Sequence, residues 1–156
     1  MAKRKSFEDS PCPVARSLDI IGDRWSLLII RDAFDGMKRF SEFQESLGIA
    51  KNILTDRLKM LTRHNILKVV PASDGSAYQE YVLTPKGEDL FPIIVTLRQW
   101  GEVQLYKKHE KHSLLVERKS GKLIQKIEIK THENRILNHT ETIVYKVIEL
   151  ESCLSQ

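Results

Sequence analysis

The chain has 156 residues, enough for one hydrophobic core with or without a small appendage. Its 41% hydrophobic and 29% charged content suits a folded domain, and no run approaches the roughly 18 consecutive apolar residues of a membrane span. The net charge of +4 is compatible with a nucleic-acid partner without requiring one. The N-terminal MAKRKSFEDSPCP lacks the apolar stretch of a secretion signal, and Cys12 and Cys153 lie far apart, so reduced thiols and a cytoplasmic location are expected.

Residues 1–10 read as a flexible basic arm carrying Lys3, Arg4 and Lys5. Pro13 suits the first turn of a helix, Val14, Leu18 and Ile21 follow at helical spacing, and Gly22 ends it. Asp23 is then a good N-cap for a helix through Trp25, Leu28 and Ile29. That helix is apolar over most of its circumference, which predicts a central place in the core. Asp35-Gly36 is a turn.

Residues 37–65 carry two amphipathic helices. In the first, Phe40, Phe43 and Leu47 share a face, and the S-x-x-Q spacing of Ser41 and Gln44 has the form of a capping box that places the helix start at Ser41. Gly48 suits the backbone that ends a helix. The second repeats at Leu54, Leu58 and Leu61, and its opposite face shows Asn52, Asp56, Lys59 and Arg63, with Lys51 and Thr55 on the flank. Asn pairs with adenine edges, Thr with methyls or acceptors, and Lys or Arg with guanine or phosphate, so this is the equipment of a DNA recognition helix; for this stretch alone the alternative is an ordinary surface helix with solvated charges. Residues 51–68 hold Lys51, Arg57, Lys59, Arg63 and Lys68 against one acid, Asp56.

Ile66 to Val70 is strand-like, 71–76 is dense in turn formers, and Tyr78 to Thr84 reads as a returning strand with Tyr81 and Leu83 on one face. A β-hairpin directly after a recognition helix is a wing, to which Ser76 and Tyr78 belong. Thr84-Pro85 opens a long helix through Leu90, Ile93, Ile94, Leu97 and Trp100 to about His109, which Pro92 should kink or restart. Its apolar residues exceed what one small domain can cover. Ile93, Leu97 and Trp100, with Leu18 of the first helix, therefore read as a dimer interface. Beyond Ser113, the Ser120-Gly121 turn and the apolar Leu123, Ile127 and Ile129 suggest a β-hairpin, and residues 142–150 are strand by propensity, with a helix as the alternative.

No Ser/His/Asp set, glycine-rich phosphate loop or paired carboxylate motif stands out, so no catalytic residue and no cofactor are assigned. His109 and His112 have no further ligand at metal-binding spacing, so no metal is assigned. Cys12 lies at a helix start, where the dipole and free N–H groups favour a thiolate, and is the candidate redox sensor, with a small, buried, inert thiol as the alternative.

The stretches CPVARSLDIIGDRW (12–25), KRFSEF (38–43), LGIAKNILTDRLKML (47–61), EYVLTPKG (80–87) and LRQWG (97–101) resemble the HxlR-type family of bacterial winged-helix transcriptional regulators. The resemblance covers about residues 12–102. It implies a homodimer on double-stranded DNA with a pseudo-palindromic operator, recognition helices in successive major grooves and wings along the flanking backbone. It also implies response to a small molecule or an oxidant, with the cysteine matching Cys12 sensing electrophiles in some members. Ala50 departs from the family's usual Ser or Thr cap, and Tyr78 stands near where many relatives place Arg. The cysteines of the ribbon that some longer members carry after residue 110 are absent here, so no zinc is carried over.

The expected fold is α+β and mainly helical: a winged helix-turn-helix with a long C-terminal dimerisation helix and a small β-rich C-terminal extension. The expected divisions are a 1–10 arm, an 11–109 DNA-binding and dimerisation domain, and a 110–156 extension. The DNA-binding set is Ser41, Lys51, Asn52, Thr55, Asp56, Arg57, Lys59, Arg63, Lys68, Ser76 and Tyr78. The rival from another class is a winged-helix protein-interaction module without DNA binding.

Overall fold

The computed structural model describes residues 6–146. Two compact units meet within one helix, the first ending at Ile94 and the second beginning at Val95.

In the first unit, α1 (Pro13–Ile21) starts on its proline and is closed by Gly22, whose N–H donates to the Leu18 carbonyl. Helix α2 (Arg24–Phe34) is capped by Asp23, whose carboxylate accepts from the Trp25 and Ser26 N–H groups at 3.0 and 3.1 Å. Ile29 and Ile30 of α2 are fully buried, so this apolar helix is central as its composition requires.

Helix α3 (Phe40–Leu47) differs from expectation at its start. Its N-cap is Arg39, and the Glu42 carboxylate reaches back to the N–H groups of Lys38 and Arg39 at 2.7 and 2.8 Å. Ser41 is therefore inside the first turn, and the box expected from Ser41 and Gln44 is not the one that forms. An ionised acceptor makes the stronger bond to an orphan N–H and also suits the positive end of the helix. Those two bonds hold the Glu42 carboxyl below its ordinary range. Gly48 closes α3 with φ +57°, a left-handed conformation that costs glycine least.

Helix α4 (Lys51–Arg63) follows, and its Leu54, Leu58 and Leu61 join Phe43, Ile49 and the α2 isoleucines in one core. Asn65 in left-handed backbone and the Ile66 N–H bonded to the Leu61 carbonyl at 2.9 Å end α4 in a Schellman arrangement. The chain then forms an antiparallel pair, β1 (Leu67–Pro71) and β2 (Gln79–Leu83), in register Leu67 to Leu83 and Pro71 to Gln79. Tyr81 and Leu83 both pack against the core. The Tyr81 N–H also donates to the Lys38 carbonyl at 2.8 Å, which ties the sheet edge to the α2–α3 connection.

Thr84 caps a short α5 (Pro85–Glu88), its hydroxyl accepting from the Gly87 N–H at 3.1 Å. A Cβ on Gly87 would lie 2.2 Å from the Ile66 carbonyl oxygen, so only glycine allows α5 to seat against the end of α4. The chain restarts as α6 (Phe91–Gln104), with Pro92 in its first turn where the missing N–H costs nothing. Phe91 packs on Phe34 with ring centroids 5.1 Å apart.

In the second unit, α6 ends at Gln104 rather than near His109, which adopts φ +69°. Arg98 holds the Ser113 carbonyl at 2.8 Å, and the Gln99 amide brackets residues 125–127, donating to the Gln125 carbonyl and accepting from the Ile127 N–H, both at 2.9 Å. The expected hairpin is reduced to single bridges, Val116 with Leu123 and Lys130 with Ile136, followed by a 3-10 turn His139–Glu141. Among the described residues of this unit only Val95 is buried, so nothing there holds longer strands flat against a core. The strand expected at 142–150 shows no regular structure as far as Lys146, and the remainder lies outside the described residues.

Candidate nucleic-acid interface

Burial of Leu54, Leu58 and Leu61 on one side of α4 fixes what the other side shows. Lys51, Asn52, Asp56, Lys59 and Arg63 are exposed there, and Lys68 is exposed just beyond on β1. Among the described residues, none of Lys51, Lys59, Arg63 and Lys68 has an ion-pair partner, so their charges are free to meet a polyanion. Thr55 is half-buried, and its hydroxyl donates to the Lys51 carbonyl at 2.8 Å, leaving its lone pairs as acceptors. Ala50 has extended N-cap backbone (φ −62°, ψ 138°) but offers no side-chain bond to the first turn. The lost cap anticipated from the sequence is therefore present in the structure.

Arg57 stands apart from its neighbours. It is half-buried, and its Nε lies 3.2 Å from the Asp23 carboxylate that caps α2. Asp23 also accepts from the Ser26 hydroxyl at 2.5 Å. Arg57 thus has an ion-pair partner within the fold, while its side chain stays 32% exposed. Counting charges along 51–68 could not show this, because the partner lies 34 positions upstream.

The wing carries a second cluster that the sequence reading passed over. Arg39, at the start of α3, pairs with Asp74 in the wing turn, approaches the Glu80 carboxylate at 4.0 Å and sits 5.9 Å over the Tyr78 ring. Glu80 is buried and accepts from the Ser73 hydroxyl at 3.0 Å. The Ser76 hydroxyl and amide, with Arg39, hold the Asp74 carboxyl well below the usual carboxylate range, and Asp74 in turn raises the Arg39 guanidinium above its ordinary value. Tyr78 is 70% exposed, and an open cleft of about 700 Å³ runs between it and Ser41 on the first turn of α3. Ser41 is exposed and Ser76 half-buried. The wing therefore presents an arginine near Tyr78 after all, delivered from α3.

Cys12 is exposed and is the N-cap of α1, with no side-chain cap bond. Ser6 and Phe7 bond the Asp19 carboxylate at 2.9 and 3.1 Å, and Arg16 Nε donates to the Ser10 carbonyl at 2.5 Å. Residues 6–10 are therefore tied to α1 rather than a free arm, while Lys3, Arg4 and Lys5 lie outside the described residues. Leu18, Ile93, Leu97 and Trp100 are 51%, 42%, 48% and 58% exposed. His112 stacks on Tyr106, centroids 4.7 Å apart, and its Nδ1 lies 2.9 Å from the Ser113 carbonyl. Among the described residues no group of three His, Cys, Asp or Glu is placed to hold a metal, and no helix is long and apolar enough to cross a membrane.

The model of the HxlR-like helix-turn-helix matches residues 20–109, more than half of the chain. The chain belongs to the HxlR-like family. Rv3095 of Mycobacterium tuberculosis, an uncharacterised HTH-type transcriptional regulator, is 45% identical over 92 residues, 59% of this chain and 58% of its own length. The match thus spans less than two thirds of that relative. YdeP of Bacillus subtilis, of the same description, is 36% identical over 92 residues, 58% of this chain and 72% of its own. Among solved structures, PA1607, a proposed transcription factor, is similar over 90% of this chain and 99% of its own at 49% identity and TM-score 0.86. The redox regulator HypR, in its reduced form, is similar over 58% of this chain and 91% of its own at 34% identity and TM-score 0.54. The fold is a winged helix-turn-helix, mainly helical with, among the described residues, one two-stranded sheet. In those terms α3 and α4 are the helix-turn-helix and β1–β2 the wing.

Proposed function

We propose that this protein is a homodimeric, sequence-specific DNA-binding transcriptional regulator whose α4 enters the major groove. The observation that carries this reading is the unpaired, exposed row on α4, opposite its buried leucines. Lys51, Asn52, Thr55 and Asp56, near the helix start, face base edges, while Lys59, Arg63 and Lys68 neutralise phosphates. Ser41, Ser76 and Tyr78 line the wing side and approach the backbone. Arg57, paired with Asp23 at its Nε, orients α4 and serves phosphate from its exposed side. A second copy, joined through Leu18, Ile93, Leu97 and Trp100, sets two half-sites about 10 bp or a multiple apart on a pseudo-palindromic operator. A small molecule or an oxidant controls the dimer. The HypR likeness and the exposed Cys12 at a helix start favour the oxidant. The protein performs no catalysis in this reading and works in the cytoplasm.

Selection of bound sequences from random DNA should return a palindromic site. On that site, Lys59→Ala and Arg63→Ala should each lower the slope of log affinity against log salt by about 1. Asn52→Ala should relax preference at one base pair, by about 1–3 kcal/mol of discrimination. Unchanged affinity and slope in the Lys59 and Arg63 variants would overturn the assignment of this face.

A further inference from the structure

The extension carries a cationic turn that the α4 reading leaves unexplained. Residues 107–146 hold ten Lys or Arg against five Asp or Glu, whereas residues 1–106 are nearly balanced at fifteen against fourteen. Two of these cations are paired, Lys130 with Glu128 at 3.3 Å and Arg135 with Glu141. The turn Glu117–Lys122 is different. Its backbone is closed by the Glu117 N–H on the Lys122 carbonyl and the Gly121 N–H on the Glu117 carbonyl, both at 2.8 Å, beneath the Val116–Leu123 bridge. The acid of the turn, Glu117, accepts from the Ser120 hydroxyl. Arg118, Lys119 and Lys122 are all exposed, and among the described residues none has an ion-pair partner. Three cationic side chains and one acid, Glu117, thus share one hydrogen-bonded turn of net charge +2. An exposed cationic cluster without ion-pair partners among the described residues suits a polyanion.

We propose that this turn is a second, sequence-independent DNA contact that grips phosphates flanking the site read by α4. The proposal rests on the reading of α4 as the operator-binding helix. A chain already bound through α4 keeps its extension at an effective phosphate concentration in the millimolar range, so contacts too weak to bind alone add to the bound state. Arg and Lys at a turn tip suit phosphate oxygens and carry no base information.

The test compares the full chain with its Arg118→Gln/Lys119→Gln/Lys122→Gln variant on two duplexes, the minimal selected operator and the same operator with about 15 bp of random flank on each side, from 50 to 200 mM salt. The wild type should bind the flanked duplex several-fold tighter and with a steeper salt slope. The variant should bind both duplexes alike, with a slope on the flanked one shallower by about 2–3 and its affinity for the minimal operator retained. A Lys119→Arg/Lys122→Arg variant, which keeps the charge, should retain the flank preference. Equal binding of both duplexes by the wild type, or a flank preference that survives the triple substitution, overturns the proposal while leaving the α4 reading intact. Failure of the wild type to bind either duplex removes both.

Discussion

Single residues divide into those that act where sequence spacing put them and those whose role is set by a distant partner. Asp23 caps α2 and Gly48 closes α3 as local rules require, since their partners lie within the next few positions. Arg57, Arg39 and Glu80 were not legible in this way. Arg57 answers to Asp23, and Arg39 to Asp74 and Glu80, over separations that only the folded chain reveals. A glutamate in a strand reads as a solvent-facing residue, yet Glu80 is 5% exposed because Ser73 and Arg39 meet its carboxylate. Cys12 belongs to this scale too. Peroxide converts an accessible thiolate to a sulfenic acid, the peroxide oxygen bound to sulfur and hydroxide leaving as water after protonation. Operator affinity measured before and after peroxide should change about 10-fold or more in the wild type and stay constant in Cys12→Ser, whose reduced affinity matches the parent. A Ser variant that responds like the parent places the sensor elsewhere.

Helices were easier to read than strands, and the reason is packing. Each helix of the first unit supplies its own hydrogen bonds and needs only an apolar stripe, which α1, α3 and α4 declare at 3–4 spacing. The wing was legible because turn formers separate two strand-like runs, and its ladder closes between near neighbours. In the extension the same signals, a Ser-Gly turn between apolar runs, produced one bridge, and among the described residues after Gln104 none is buried behind it. At the start of α3, two capping options lay two residues apart. The carboxylate of Glu42 prevailed over the amide of Gln44. The uncapped start of α4 is the element-scale feature with a direct test. Ala50 already has N-cap backbone, so Ala50→Ser supplies an acceptor to the first turn without rearrangement. It should stabilise the protein by about 1 kcal/mol, seen as a rise of roughly 2–4 °C in a thermal melt. An unchanged or lower melting temperature would show that the bare N–H groups of α4 already have partners.

For the molecule as a whole, the decisive quantity is apolar surface left in contact with solvent. Leu97, Trp100 and Val103 of α6 are about half to three-quarters exposed, more than a stable monomer ordinarily leaves together on one helix. Placing charge there, as Leu97→Glu with Trp100→Glu, should give a monomer by sedimentation equilibrium with helical content retained. Operator affinity should fall about 100-fold or more as two-site binding is lost. A dimer of undiminished mass would move the interface to another face. The Asp23–Arg57 pair has a consequence for modularity. The carboxylate that starts α2 also pairs with α4, so the orientation of α4, the helix proposed to read the operator, is set in part from outside it. An α4 transplanted from a relative would bring new base-facing side chains, but it would keep this protein's docking angle only if Asp23 and Arg57 travelled or stayed as a couple.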